Sequence, residues 1–164
     1  MSKIILSINA GSSSVKVSVY STSSRSQDPK QLAEAQIDGL TAPPPTLKYE
    51  RGDKKIKGQK IGEKVESQEG AFRWILEHLE KDEGLPELKR KEDIGFACHR
   101  VVHGGDYSRP KVVNEDVYRH VEELSELAPL YVNASSLQNS LRKCRNACCS
   151  DQYSIPTECS SRSN

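Results

Sequence analysis

The sequence predicts an α/β domain on three observations. Ile4, Leu6 and Ile8 recur at every second position, and Val15, Val17 and Val19 repeat the pattern after a turn. A period of two belongs to strands with one buried face. Phe72, Ile75, Leu76 and Leu79 then fall at the spacing of one helical stripe. Finally, Ile94 to His103 returns to a Val-rich strand pattern and a second helical pattern begins after Asn114. Strands, helix, strand and helix in that order give a mixed α/β layout.

Taken in order, the first two alternating stretches form a β-hairpin whose tip is Asn9-Ala10-Gly11-Ser12-Ser13-Ser14-Val15-Lys16. Those residue types suit a phosphate. Asn9 offers an amide, Gly11 lets the backbone approach a ligand, and Ser12, Ser13 and Ser14 offer hydroxyls, while Lys16 adds a charge for a polyphosphate oxygen. Ser21 to Lys30 is a polar connection, and Gln31 to Leu40 is a short strand ending near Gly39. Pro43-Pro44-Pro45 forces an extended loop. Thr46 to Glu50 and Lys55 to Gly58 flank Arg51-Gly52-Asp53-Lys54, which predicts a second hairpin. Lys54, Lys55, Lys57 and Lys60 read as a solvated face, and the Arg-Gly-Asp triplet as a turn.

Glu69 to Lys81 is the first predicted helix, stopped by Gly84 and Pro86. Trp74 lies off its apolar stripe and is expected to cover a neighbouring element. Gly104-Gly105 bounds the strand that follows, and the second helix, about Glu115 to Ala128, takes Asn114 as its cap and Val117, Val121, Leu124 and Ala128 as its apolar side. From Tyr131 onward serines and cysteines accumulate. Leu137, Leu141, Cys144 and Cys148 could line a short helix, with loose packing or disorder expected beyond Cys149. The chain therefore divides into a domain at 1–130 and a divergent tail at 131–164.

Composition narrows the function classes. The 164 residues are enough for one domain, but an apolar fraction of 35% implies a lean core. Twenty-four Lys and Arg against 23 Asp and Glu leave a net charge of +1, so no global field favours nucleic acid or an anionic membrane. Anion recognition must be local. The opening apolar run, Ile4 to Ile8, is too short for a secretory leader, and no stretch approaches a membrane span. Five cysteines without paired spacing point to a reduced, cytoplasmic protein, in which the sequon Asn133-Ala134-Ser135 carries no weight.

A second chemical motif is His99-Arg100-Val101-Val102-His103-Gly104-Gly105. On a strand, His99, Val101 and His103 share one face and Arg100 takes the other with Cys98 and Val102. The planar fork of Arg100 suits a carboxylate or phosphoryl oxygen, and a structural ion pair to a local acid is an equal alternative. His99 and His103 are read as structural, since no carboxylate sits between them as in a zinc-binding His-Glu-x-x-His helix. Neither a dinucleotide-binding Gly-x-Gly-x-x-Gly nor a Walker A loop is present.

Asn9 to Lys16 and His99 to Gly105 together resemble the two leading signatures of the acetate kinase family, within the superfamily of acetate and sugar kinases, Hsp70 and actin. The resemblance runs from Lys3 to about Leu130, where Glu123 to Leu130, ending Leu-Ala-Pro-Leu, resembles the next family block. It implies a ribonuclease H-like, actin-like ATPase domain with a mixed sheet and flanking helices, here incomplete. It also implies transfer of the γ-phosphoryl of ATP to acetate with Mg2+, giving acetyl phosphate and ADP in the cytoplasm. By resemblance, Asn9 serves the metal site, Lys16 contacts ATP phosphate, Ser12 and Ser14 support the phosphate turn, and Arg100 binds the carboxylate and the transferring phosphoryl. A homodimer is implied for complete members and is not expected of this shorter chain.

The resemblance fades after Leu130. The family places a histidine and an asparagine-containing loop there, where this chain has Tyr131-Val132-Asn133. Family members are much longer, and the blocks carrying the catalytic aspartate and the second domain have no counterpart. No catalytic residue is carried over, because Asp151 sits in no matching motif. A shifted reading frame or shortened gene product would give this pattern. The chain alone is expected to show negligible turnover. The alternative is a non-catalytic fragment or regulatory partner of a full-length acetate kinase.

Overall fold

A computed structural model describes residues 3–22, 28–62, 65–100, 111–112, 114–117, 119–120 and 147–150. Within them the two alternating stretches form β1 (Lys3–Ala10) and β2 (Ser14–Thr22), paired antiparallel with Asn9 opposite Lys16 and Ala10 opposite Val15. β3 (Lys30–Asp38) pairs antiparallel with β2, and β4 (Thr46–Arg51) with β3. β5 (Lys54–Lys60) completes the second hairpin. Its turn places Gly52 at φ 53° with Asp53 at negative φ, the glycine-first pattern of a two-residue hairpin loop. The Arg51-Gly52-Asp53-Lys54 segment is thus a turn, as its sequence predicts. β5 is an edge strand with its lysines exposed, a charge pattern that discourages strand addition.

α1 (Gln68–Lys81) follows. Ser67 caps it, its hydroxyl accepting from the Gly70 N–H at 3.0 Å, with Glu69 in the first turn and His78 and Lys81 in the last. The predicted stripe is what the helix buries: Ala71, Phe72, Ile75, Leu76 and Leu79 are all in the core. Burying each of the larger ones stabilises by about 1.5–3 kcal/mol. Opposite them lies the inner face of the sheet, with Leu6, Ile8, Val15, Val17, Val19, Ala33, Ala35, Ile37, Leu47 and Tyr49. α1 rests on β2 and β3. Trp74, off the stripe, stacks on His78 at 5.2 Å between ring centroids, and His78 meets the Tyr49 ring edge-on at 4.9 Å. It covers β4 through that stack.

After a 3₁₀ turn at Lys91–Asp93, β6 (Ile94–Arg100) enters parallel to β1. Val101 to Gly105, expected to continue the strand and its turn, lie outside the described residues. β7 (Lys111–Val112) and β8 (Ala147–Ser150) finish the sheet, whose order is β5-β4-β3-β2-β1-β6-β8-β7. β8 runs parallel to β6 and antiparallel to β7. Cys148, expected on a short helix with Leu137, Leu141 and Cys144, is therefore in a strand. The physical reason is the free edge of β6, whose backbone groups need partners that an added strand supplies. The other three residues of that expectation lie outside the described residues.

Asn114 caps the second helix as predicted, accepting from the Val117 N–H at 2.9 Å, and Val117 is buried. Residues 115–117 and 119–120 are helical, while Val121, Leu124 and Ala128 lie outside the described residues. Among the described residues, no helix is long and apolar enough to cross a membrane.

One buried polar centre ties the second hairpin to the end of α1. Asp82, its C-cap, accepts from Tyr49 Oη, from Arg51 Nε at 2.9 Å and from the Gly84 N–H at 3.0 Å. Burial alone would raise the Asp82 carboxyl. The bonds from Tyr49, Gly84 and Arg51, with Lys54 nearby, overcome that and hold it well below the usual carboxylate range. Removing this acceptor strands the buried Tyr49 hydroxyl and unpairs the partly buried Arg51, so Asp82→Ala is expected to lower stability by about 2 kcal/mol in urea unfolding, and Tyr49→Phe by about 1 kcal/mol. Equal, near-zero effects would show that the cluster holds nothing together.

His99 is the other buried polar side chain with a consequence. It is 3% exposed, and neither ring nitrogen meets a hydrogen-bond partner among the described residues. Burial pushes its imidazole down to about 4. Its unfolded value is about 6.5, so the unfolded chain binds the proton first and stability falls as pH drops from about 6.5 toward 4. Asp82 adds its loss only below about 3.9. His78, also lowered, first by burial and then by Lys54, adds to the same window as His99. The His99 share is on the order of 2 kcal/mol between pH 7.5 and pH 5. In urea titrations at several pH values, His99→Leu is expected to flatten more than half of that slope; an unchanged slope would assign it elsewhere.

Candidate phosphate-binding site

The loop between β1 and β2 is held from the protein side. The Gly11 N–H donates to the Ser14 carbonyl at 2.8 Å, closing the turn, and the Leu40 N–H donates to the Ser13 carbonyl at 3.1 Å. From the start of α1, Gln68 Nε2 donates to the carbonyls of Gly11 and Ser12, each at 3.3 Å. Gly11, Ser12 and Ser13 are exposed, and Ser14 is half-buried where β2 begins. The serines that the sequence singles out therefore do sit at a hairpin tip open to a ligand.

Asn9, Lys16 and Arg100 come together through strand register. Asn9 faces Lys16 across β1 and β2, and β6 aligns Ser7 with Cys98 and Ile8 with His99. One more step along both strands sets Asn9 beside Arg100. Ile8, Val17 and His99 are buried and share one face through that register, so the adjoining residues Asn9, Lys16 and Arg100 belong to the opposite face. Three adjacent strands thus carry lysine, amide and guanidinium in one row, spanning about 10 Å from first to last Cα. The row lies at the carboxyl end of β1, on the side of the sheet where ligands usually sit in open α/β folds.

This phase depends on an irregularity. Ile4 pairs with Ile94 but Ile5 pairs with Phe96, so Gly95 is an extra residue in β6. Simple alternation from buried Ile94 would put Arg100 on the core face. The bulge reverses the phase, and Ala97 and His99 take the core positions instead. A Cβ on Gly95 would lie 3.3 Å from Lys3 Cβ and 3.4 Å from the Ile4 carbonyl, a close approach that suits glycine.

Lys16 has a partner that sequence reasoning missed. Its Nζ lies 2.7 Å from Glu34 Oε1, and Glu34 Oε2 accepts from Ser18 Oγ at 3.0 Å and Gln31 Nε2 at 3.2 Å. Burial pushes the Glu34 carboxyl up, and the bonds from Lys16, Ser18 and Gln31 more than reverse that, leaving it below its ordinary value and ionised. Lys16 is 41% exposed, so the pair is a weak one that an arriving anion can outcompete. Opposite Glu34 on β2 stands Ser18, so a correct register would have exposed the link; Gln68 carries no comparable local signal.

Burial pushes the Cys98 thiol up to about 11, which keeps it protonated and unsuited to nucleophilic work. Among the described residues no group of three or more His, Cys, Asp or Glu could hold a metal. Among the described residues, the Asn9 side chain and the loop hydroxyls are hard oxygen donors at the hairpin tip, with the Glu34 carboxylate engaged by Lys16. That sparse, hard set fits Mg2+, which keeps several waters and takes other ligands from phosphate.

With this geometry in place, similarity to known proteins becomes specific. The Acetokinase family model matches residues 4–146, well past Leu130. A Chaetomium globosum protein named "Probable acetate kinase" is 51% identical over 138 residues, covering 84% of this chain and 30% of its own length. A Neurospora crassa protein of the same name is 53% identical over 139 residues, again covering 84% of this chain and 29% of the relative. A crystal structure of Porphyromonas gingivalis acetate kinase superposes with a TM-score of 0.72 at 26% identity, over 90% of this chain and 36% of that one. The chain spans about three-tenths of the length of the curated relatives it matches. By the extent of that match and by its two signature segments, the chain belongs to the acetokinase family.

Proposed function

We propose that this chain supplies the phosphate- and carboxylate-binding part of an acetate kinase, an enzyme that transfers the γ-phosphoryl of ATP to acetate to form acetyl phosphate and ADP. The observation that carries the reading is the row Lys16, Asn9 and Arg100 beside the Gly11–Ser14 loop. Phosphoryl transfer asks little covalent chemistry of a protein; it asks for in-line positioning and neutralised charge. Acetate is already ionised at neutral pH, so no strong base is needed to make it a nucleophile. The obstacle is repulsion between its carboxylate and the phosphoryl oxygens.

Arg100 answers that obstacle with a fixed fork able to bridge carboxylate and phosphoryl oxygens. Lys16 exchanges its exposed pairing with Glu34 for an ATP phosphate oxygen, while Ser12 and Ser14 support the phosphate turn. Asn9 would hold Mg2+ together with phosphate oxygens, and the ion when bound spreads the charge of the polyphosphate. Nucleic acid and membrane have no place in the reaction, and the cytoplasm supplies its substrates. These 164 residues span about three-tenths of the relatives' length and are expected by themselves to give negligible acetyl phosphate.

A chimera tests the reading. Replacing the matched 139 residues of the Neurospora crassa relative with the corresponding segment of this chain should give an enzyme that forms acetyl phosphate, detected as the hydroxamate. In that chimera Arg100→Ala and Lys16→Ala are each expected to lower kcat/KM by about 100-fold or more. A chimera that folds with the circular dichroism of the parent yet makes no product, or one indifferent to Arg100→Ala, would rule the proposal out.

A further inference from the structure

We infer that Gln68, at the first turn of α1, is the positioning residue that presents the backbone amides of Ser12 and Ser13 to an anionic phosphate. The inference rests on the phosphate-loop reading given above and deepens it. Gln68 is half-buried and 57 residues from Gly11 in sequence, and its single amide group bonds two consecutive carbonyls of the loop, Gly11 and Ser12, at 3.3 Å each. In a trans peptide the carbonyl and the N–H point in opposite directions. The Gly11 carbonyl shares its peptide plane with the Ser12 N–H, and the Ser12 carbonyl with the Ser13 N–H. Turning both carbonyls toward α1 therefore turns both N–H groups away from it.

Those two N–H groups meet no acceptor among the described residues, whereas the neighbouring Gly11 N–H is already spent on Ser14. The Leu40 bond to the Ser13 carbonyl fixes the third plane in the series. Successive amides aimed outward form a concave anion-binding surface, and Lys16 supplies a full positive charge nearby. An exposed loop of glycine and serines has many peptide orientations available, so a ligand would otherwise have to select one and lose affinity. Gln68 makes that selection before the ligand arrives. Its amide is the right group for the task, since it donates without bringing a second charge to the site.

The test uses the full 164-residue chain labelled with ¹⁵N and titrated with inorganic pyrophosphate. In the unsubstituted chain the Ser12 and Ser13 amide resonances are expected to shift on titration. Gln68→Met, similar in shape but lacking the donor, should weaken pyrophosphate binding between about twofold and about tenfold and lower the order parameters of those amides. Its melting temperature should stay near that of the parent. Gln68→His, which keeps a neutral ring N–H at similar reach, should recover most of the affinity. Unchanged affinity and unchanged loop order in Gln68→Met, with the parent still binding, would overturn the role of Gln68 alone. Absence of any loop shift in the parent would instead overturn the phosphate-loop reading and this inference with it. Equal weakening in the Met and His variants would show that shape, not the donor, matters and would also overturn the assignment.

Discussion

The parallel pairing of β1 with β6 governs everything else in this molecule. A strand has only two faces, and a one-residue slip exchanges them. Leu6 against Ala97, both fully buried, and Ile8 against buried His99 lock the register, because any slip would expose apolar surface and bury Arg100. The extra residue at Gly95 is what reconciles buried Ile94 with an outward Arg100. The guanidinium reaches the row of Asn9 and Lys16 only because the core accepts the strand in this phase.

The loop shows the same economy of means. Local sequence closes the turn between Gly11 and Ser14, but its orientation comes from elements that are remote in the chain, Leu40 and Gln68. Glu34 plays a related part for Lys16. It keeps a long, flexible cation in a defined place without binding it strongly, so order costs little when an anion replaces the carboxylate.

Much of this was legible in advance because the relevant patterns are local. Period-two alternation gave β1 and β2 and their shared tip, and the spacing of Phe72, Ile75, Leu76 and Leu79 gave α1 with the correct buried stripe. Asn9 and Lys16 fall at one tip in the sequence because alternating stretches flank them, and the β1–β2 register then sets them opposite each other. What escaped was non-local. Neither the Gly95 bulge nor the contact of Gln68 with the loop has a signature in neighbouring residues, and Glu34 needed the β2–β3 register. Cys148 was set on a helix because Leu137, Leu141 and Cys144 precede it at helical spacing, whereas backbone pairing with β6 decides its conformation. The family likeness also continues past Leu130, to residue 146, farther than the recognisable motifs reach.

β8 begins just beyond that match, and it is aligned with β6 from Ala97 to Arg100. A ladder is built from main-chain groups, so a stretch with unrelated side chains can still occupy a sheet margin. Occupancy is also exclusion. With Ala147–Ser150 seated there, that flank is closed to any other extended polypeptide, a sister copy included, and association along it would first require peeling the seated residues away.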